Sequence, residues 1–151
     1  MVKKTSDPRV EELFNEYVSR LKHYIQFELC VIPELKNNRK LSEAQQKNLE
    51  GEMIRKQLSS GDTIVLLDEH GKEFRSVELA HWMTRMMNTV SRRLVFIIGG
   101  PYGFSEEIYS LAHQQLSLSQ LTFSHQMIRL IFAEQLYRAM TIIHGEPYHH
   151  E

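Results

Sequence analysis

Leu94-Val-Phe-Ile-Ile-Gly-Gly-Pro-Tyr-Gly103 is the stretch on which the fold turns. Five apolar residues in succession, with no polar alternation, read as a short strand buried on both faces. Gly99 and Gly100 then allow a close backbone approach or a positive φ, and Pro101 stiffens the turn. A helix is predicted from near Ser105, with Glu106 and Glu107 favourably placed against the positive end of its dipole. The same unit occurs upstream. Ser59-Ser-Gly-Asp62 forms a turn, Thr63-Ile-Val-Leu-Leu-Asp68 is a second two-sided strand, and a helix follows over residues 76–90. Strands alternating with helices predict an α/β fold, a parallel-type sheet flanked by helices.

Outward from these units, the punctuation is equally local. Asp7 caps a first helix with Pro8 at its first position, and Val10, Leu13, Phe14, Tyr17, Val18 and Leu21 mark its buried face. A strand is expected over residues 24–33 and a loop over 34–40. Ser42 with Gln45 forms a capping-box pattern that opens a helix to about residue 58. Ser124 is a cap for the last helix, whose Ile128, Leu130, Ile131, Ala133, Leu136, Ala139, Met140 and Ile143 spread around much of the circumference. Such a helix is expected to be covered on two sides, by the sheet and by a partner.

The chain has 151 residues, the size of one domain, with 42% apolar and 25% charged residues, a globular balance. Residues 1–60 carry 11 Lys and Arg against 9 Asp and Glu, and residues 61–151 carry 7 against 10, for a net charge of −1. That excludes indiscriminate nucleic-acid binding, which rests on phosphate neutralisation, but not recognition of one particular site. Cys30 is the single cysteine, so there is neither a disulfide framework nor a Cys-rich zinc site, and Phe27-Glu-Leu-Cys-Val-Ile32 reads it as a small residue of a half-buried strand. No apolar run approaches a bilayer span and the opening residues lack a signal-peptide core, so a cytoplasmic protein is expected.

Ligands of parallel α/β sheets collect beyond the carboxyl ends of the strands. Three segments meet that description: the one after Leu67-Asp68, the turn from Gly99 to Gly103, and residues 118–123. The glycines match neither G-x-G-x-x-G nor a P-loop, so phosphate cradling is disfavoured, and a tight strand-to-helix connection would use the same residues. His144, His149 and His150 lack Cys, Asp or Glu at a familiar ligand spacing, so no metal is expected. No nucleophile signature is present, and Lys3-Lys4, Arg92-Arg93 and Lys36, Arg39 and Lys40 read as solvated basic clusters. Taken residue by residue, the chain is a cytoplasmic, dimeric α/β domain with a glycine-lined ligand turn.

Val65-Leu-Leu-Asp68, Ile98-Gly-Gly-Pro-Tyr-Gly103, Leu118-Ser-Gln-Leu-Thr-Phe123, Ser124-His-Gln-Met-Ile-Arg129, Glu134-Gln-Leu-Tyr-Arg138 and Pro147-Tyr-His-His-Glu151 together carry a resemblance. In this order, and reaching the last residue, they resemble the RlmH family of small SPOUT-class methyltransferases, which methylate N3 of a pseudouridine in bacterial 23S ribosomal RNA. The resemblance implies one SPOUT methyltransferase domain over residues 1–151, with a C-terminal deep trefoil knot, an exception to the rule against threaded loops. It implies S-adenosyl-L-methionine, a homodimer, and 23S rRNA within the assembled ribosome as substrate, with no DNA, membrane or metal partner. The cofactor-binding positions fall on Leu67, Gly99, Leu118, Ser119, Gln120, Leu121, Thr122 and Phe123. His149 is implied as the base or base-positioning group, with Arg138 and Tyr148 holding an RNA phosphate or orienting the target base. The alternatives are a catalytically silent knotted dimer that binds ribosomes or a nucleoside-like ligand, and a transfer-RNA methyltransferase. Two departures stand out. The chain opens on Met1-Val-Lys-Lys-Thr5 without the family's first apolar strand, and His150 replaces the usual basic residue before the terminal Glu.

Overall fold

The computed structural model describes residues 7–150 apart from 34, 36–39 and 101. The elements, in chain order, are α1 (Pro8–Leu21), α2 (Glu43–Gln57), β1 (Thr63–Glu73), α3 (Ser76–Thr89), β2 (Leu94–Ile98), α4 (Glu106–Leu111), β3 (Gln114–Ser117) and α5 (His125–Ile143). They gather into two compact units, each drawn from separate stretches of the chain. The first holds α2, β1, β2, α4 and β3; the second holds α1, α3, α5 and the C-terminal tail.

In the first unit β1 is the middle strand of the order β2-β1-β3. It runs parallel to β2, with Thr63 opposite Leu94 and the pairing continuing to Leu67 opposite Ile98. Ile64, Val65 and Leu66 are buried one after another, so both faces of β1 are covered, as the uninterrupted apolar run requires. Ile64, Leu66 and Ile97 join Ile54 of α2 with Phe104 and Ile108 in one apolar core. Gly51 lets α2 approach: a Cβ there would stand 2.6 Å from Ser105 Oγ and 3.4 Å from Ile108. Ser105 is the cap of α4, accepting from Ile108 N at 3.4 Å. The strand entrance is clamped by charge. Arg93 donates to the buried Asp62 through Nε at 3.0 Å and Nη2 at 2.6 Å, and Arg92 donates to the Ser60 carbonyl at 2.6 Å. Both arginines are exposed, as expected of a solvated basic cluster, and both are also tied to the strand entrance.

The second unit is helical. α5 packs against both α1 and α3, burying Leu130, Phe132, Ala133, Leu136, Ala139, Met140 and Thr141. Two helices of its own unit, α1 and α3, thus pack on the wide apolar surface of α5. The Gln126 side-chain amide joins the helix starts, accepting from Asp7 N and donating to Asp7 O, each at 2.9 Å. The caps stand where the residues predict them: Asp7 accepts from Arg9 N, Ser42 and Gln45 complete their capping box, and Ser124 accepts from Met127 N.

The expected strand over residues 24–33 is not formed. Residues 22–25 turn at the end of α1, and residues 26–33 are irregular, with Leu29 and Val31 each 47% exposed. Cys30 is exposed, its Sγ 3.6 Å from Gln57 Oε1, rather than half-buried in a strand. Among the described residues no strand pairs with this apolar alternation to take its backbone hydrogen bonds, which a strand requires. Conversely β1 continues past Asp68 to Glu73, and β3 is made of the unpromising Gln114-Gln-Leu-Ser117, because in each case a neighbouring strand supplies the pairing. Most of the 34–40 loop, the opening residues with Lys3 and Lys4, Pro101 and Glu151 lie outside the described residues. No helix among the described residues is long and apolar enough to cross a membrane.

Candidate functional site

The expected cofactor positions of the first unit begin where the parallel pairing stops. Leu67 is the last β1 residue in register, opposite Ile98, and Gly99 leaves β2 directly after it. Leu67 therefore lies within a continuing strand rather than before a loop, yet it still marks the carboxyl edge of the paired segment. The turn closes by Gly103 N donating to Gly100 O at 3.1 Å, and it is Gly103, at φ +81°, that occupies the left-handed region. Gly99 and Gly100 are needed for proximity instead. A Cβ on Gly99 would meet the Phe104 ring at 3.0–3.3 Å, and one on Gly100 would sit 2.4 Å from Glu50 Oε2.

Behind this turn stands a small polar network. Phe104 meets Tyr109 edge-on at 5.7 Å between centroids, and the Tyr109 hydroxyl donates to Asp68, the residue after Leu67. Asp68 also accepts from His70 N at 2.8 Å and pairs with the His70 ring at 3.1 Å. Burial pushes the Asp68 carboxyl up, but these hydrogen bonds outweigh it and hold it below the ordinary carboxylate range. Burial and the Asp68 charge push Tyr109 up to about 12, so it stays a donor at neutral pH. Glu50 differs: its Oε1 is buried without a hydrogen-bond partner, and burial pushes its carboxyl up. Leu118 and Ser119 are half-buried and Gln120 exposed, and Ser117 Oγ donates to Ser119 O at 3.1 Å, curling the chain as it leaves β3.

The rest of the expected site belongs to the second unit. Leu121 is 72% exposed, Thr122 exposed and Phe123 half-buried, just ahead of the α5 cap. Arg138, Tyr148 and His149 are brought together. Arg138 Nη1 lies 3.0 Å from His149 Nδ1, and its guanidinium carbon is 4.8 Å from the Tyr148 ring centroid. Glu134, one turn earlier on α5, accepts from Arg138 Nε at 3.1 Å and Nη2 at 2.5 Å, and from the Tyr148 hydroxyl at 3.0 Å. Tyr17 of α1 adds a 3.2 Å contact between the two hydroxyls, and Tyr137 stacks edge-on against Tyr148 at 4.8 Å. Burial, then these hydrogen bonds, raise Tyr148 well above the usual phenol range. His144 is engaged elsewhere, its Nδ1 2.9 Å from the Met140 carbonyl and its ring 4.9 Å from Tyr24. His150 is exposed.

Glu134, Tyr17, Tyr109 and Glu50 were not among the site residues expected from the sequence. The i, i+4 spacing of Glu134 to Arg138 was a visible signal for the first; Tyr17 and Tyr109 are partnered, and Glu50 is brought beside Gly100, by approaches remote in sequence.

The family model described as Predicted SPOUT methyltransferase matches residues 1–149. A protein of Phocaeicola vulgatus, named Ribosomal RNA large subunit methyltransferase H, is 62% identical over 151 residues, covering 100% of this chain and 96% of the relative. A protein of the same name from Bacteroides thetaiotaomicron is 60% identical with the same coverage. One from Flavobacterium johnsoniae is 52% identical over 148 residues, 98% of this chain and 94% of the relative.

Proposed function

The chain belongs to the SPOUT methyltransferase family, and from that premise we propose that it methylates N3 of a pseudouridine in 23S ribosomal RNA on the assembled ribosome. The observation that carries the substrate is full-length similarity, at 62% identity, to a protein named as a large-subunit ribosomal RNA methyltransferase. In this reading residues 1–151 act as one domain with a C-terminal trefoil knot, in a cytoplasmic homodimer whose subunits complete each other's sites.

The methyl donor of this reading is S-adenosyl-L-methionine, which supplies an electrophilic methyl group on a sulfonium when bound. The first unit suits such a group. Leu67 and Gly99 end the parallel pairing side by side, and the orphaned Glu50 oxygen beside Gly100 is a buried acceptor ready for a donor hydrogen. Leu67, Gly99 and the backbone of Leu118, Ser119 and Gln120 would hold the donor, and Leu121, Thr122 and Phe123 would wall it. The exposed Leu121 gains a reason for its exposure, since an apolar wall is what a nucleoside face requires. Arg138, Tyr148 and His149 form the substrate half. Arg138 brings a fixed cation suited to a phosphate, and Tyr148 a ring suited to stacking. The sulfonium brings its own leaving group, so the residues chiefly align two reactants and ease loss of the N3 proton.

Radiolabelled methyl transfer to assembled large subunits, free ribosomal RNA and transfer RNA, run in parallel, tests the proposal. Label in the ribosomal arm is expected, and label in transfer RNA only, or in no arm, overturns it.

A further inference from the structure

His149 is held by a group that has nothing to accept with. A guanidinium presents only N–H donors and keeps its charge at every accessible pH. With Arg138 Nη1 3.0 Å from His149 Nδ1, that ring nitrogen must offer its lone pair. A neutral imidazole that accepts at Nδ1 carries its proton on Nε2. A proton on Nδ1 would set an N–H against an N–H. Arg138 has little freedom to turn away, because Glu134 Oε1 grips both Nε and Nη2, and the Tyr148 ring lies beneath the guanidinium. Glu134 and Arg138 are one helical turn apart, so α5 itself sets their distance. Among the described residues, Arg138 and Glu134 from α5, Tyr148 from the tail and Tyr17 from α1 are titratable groups of this cluster.

We infer that His149 serves the transfer as a hydrogen-bond donor through Nε2–H rather than as the proton acceptor, and that Glu134 is the positioning residue that fixes this tautomer through Arg138. The inference rests on the functional reading above and narrows the role expected of His149 from sequence. N3 of a pyrimidine imide lies between two carbonyls, which take up the charge when N3 loses its proton. A donor aimed at one of them stabilises that anion without accepting anything. The proton passes to bulk water. The N3 lone pair forms the new N–CH3 bond, the S–CH3 pair stays on sulfur, and anion plus sulfonium become a neutral methylated base and a neutral thioether.

Nitrogen-15 NMR of the full-length labelled protein, with His149 assigned by difference from His149→Gln, reads the tautomer without any reaction. The expected spectrum has an unprotonated Nδ1 and a protonated Nε2 in the wild type and a mixture in Glu134→Gln. In the transfer assay, His149→Gln keeps an N–H and is expected within about tenfold of wild type, against a loss of about a hundredfold for His149→Ala. Glu134→Gln is expected to lower kcat about tenfold with KM for ribosomes unchanged, a split that a merely structural role would not produce. A protonated Nδ1, or His149→Gln as inactive as His149→Ala, overturns the inference. Wild-type protein with the expected tautomer but no transfer to any RNA overturns the functional reading instead, and with it the catalytic role given to His149.

Discussion

The Asp62 side chain is fully buried and receives two bonds from Arg93 and one from Ser59 N at 2.7 Å. The Arg93 hydrogen bonds hold its carboxyl below the ordinary range even though burial pulls the other way. A carboxyl whose folded pKa lies below its unfolded value stabilises the fold above the unfolded pKa, about 3.9, and loses that contribution as pH falls through the folded value. Asp62→Asn should therefore destabilise by about 2 kcal/mol at neutral pH, since Arg93 is itself half-exposed and solvent softens the loss. Urea melts at pH 7 and below pH 4 check this, with the difference between variant and wild type shrinking at the acid end. Glu50 has the opposite sign. With its pKa raised by burial, its charge at neutral pH works against folding, so Glu50→Gln should leave the melting temperature unchanged or higher. It should at the same time weaken S-adenosylhomocysteine binding about tenfold in calorimetry, as expected for loss of one charged hydrogen bond to the ligand. Unchanged binding would show that Glu50 plays no part in the cofactor site.

Among the elements, the helix starts were the most legible in the sequence. Asp7 with Pro8, Ser42 with Gln45, and Ser124 each satisfy amide groups two or three residues away, so cap and helix are written in one short window. Strands were legible only where the run of apolar residues is unbroken, as in Leu94–Ile98. Residues 24–33 have the alternation without the pairing, and β3 has the pairing without the alternation. The β1–β3 contact is close enough to be tested: a Cβ on Gly71 would lie 2.7 Å from backbone atoms of Gln115 and Leu116, which have no rotamer with which to yield. Gly71→Ala should cost about 2–3 kcal/mol. Gly100→Ala, whose added carbon meets the movable end of Glu50, should cost less than half as much in the same denaturant titration.

For the whole molecule, the expected cofactor positions Leu67, Gly99, Leu118, Ser119 and Gln120 lie in one compact unit, and Arg138, Tyr148 and His149 lie in the other. If the tail of one subunit completes the site of its partner, two inactive chains can repair each other. Gly99→Val, which pushes a side chain into Phe104, and His149→Ala should each be inactive. Co-refolded in equal amounts, half the dimers are mixed and each mixed dimer has one intact site, so about a quarter of wild-type activity should return. Recovery of nothing would mean that each chain uses its own tail. By itself the sequence determined the helix starts, the two strands of unbroken apolar residues and the family, because each of these depends on neighbours in the chain or on ordered motifs. Tertiary structure decided which strands pair, which helices pack on α5 and which nitrogen of His149 faces a guanidinium. Those depend on groups brought close from distant positions, and a hydrogen bond is set by the partner within about 3 Å, wherever in the chain that partner lies.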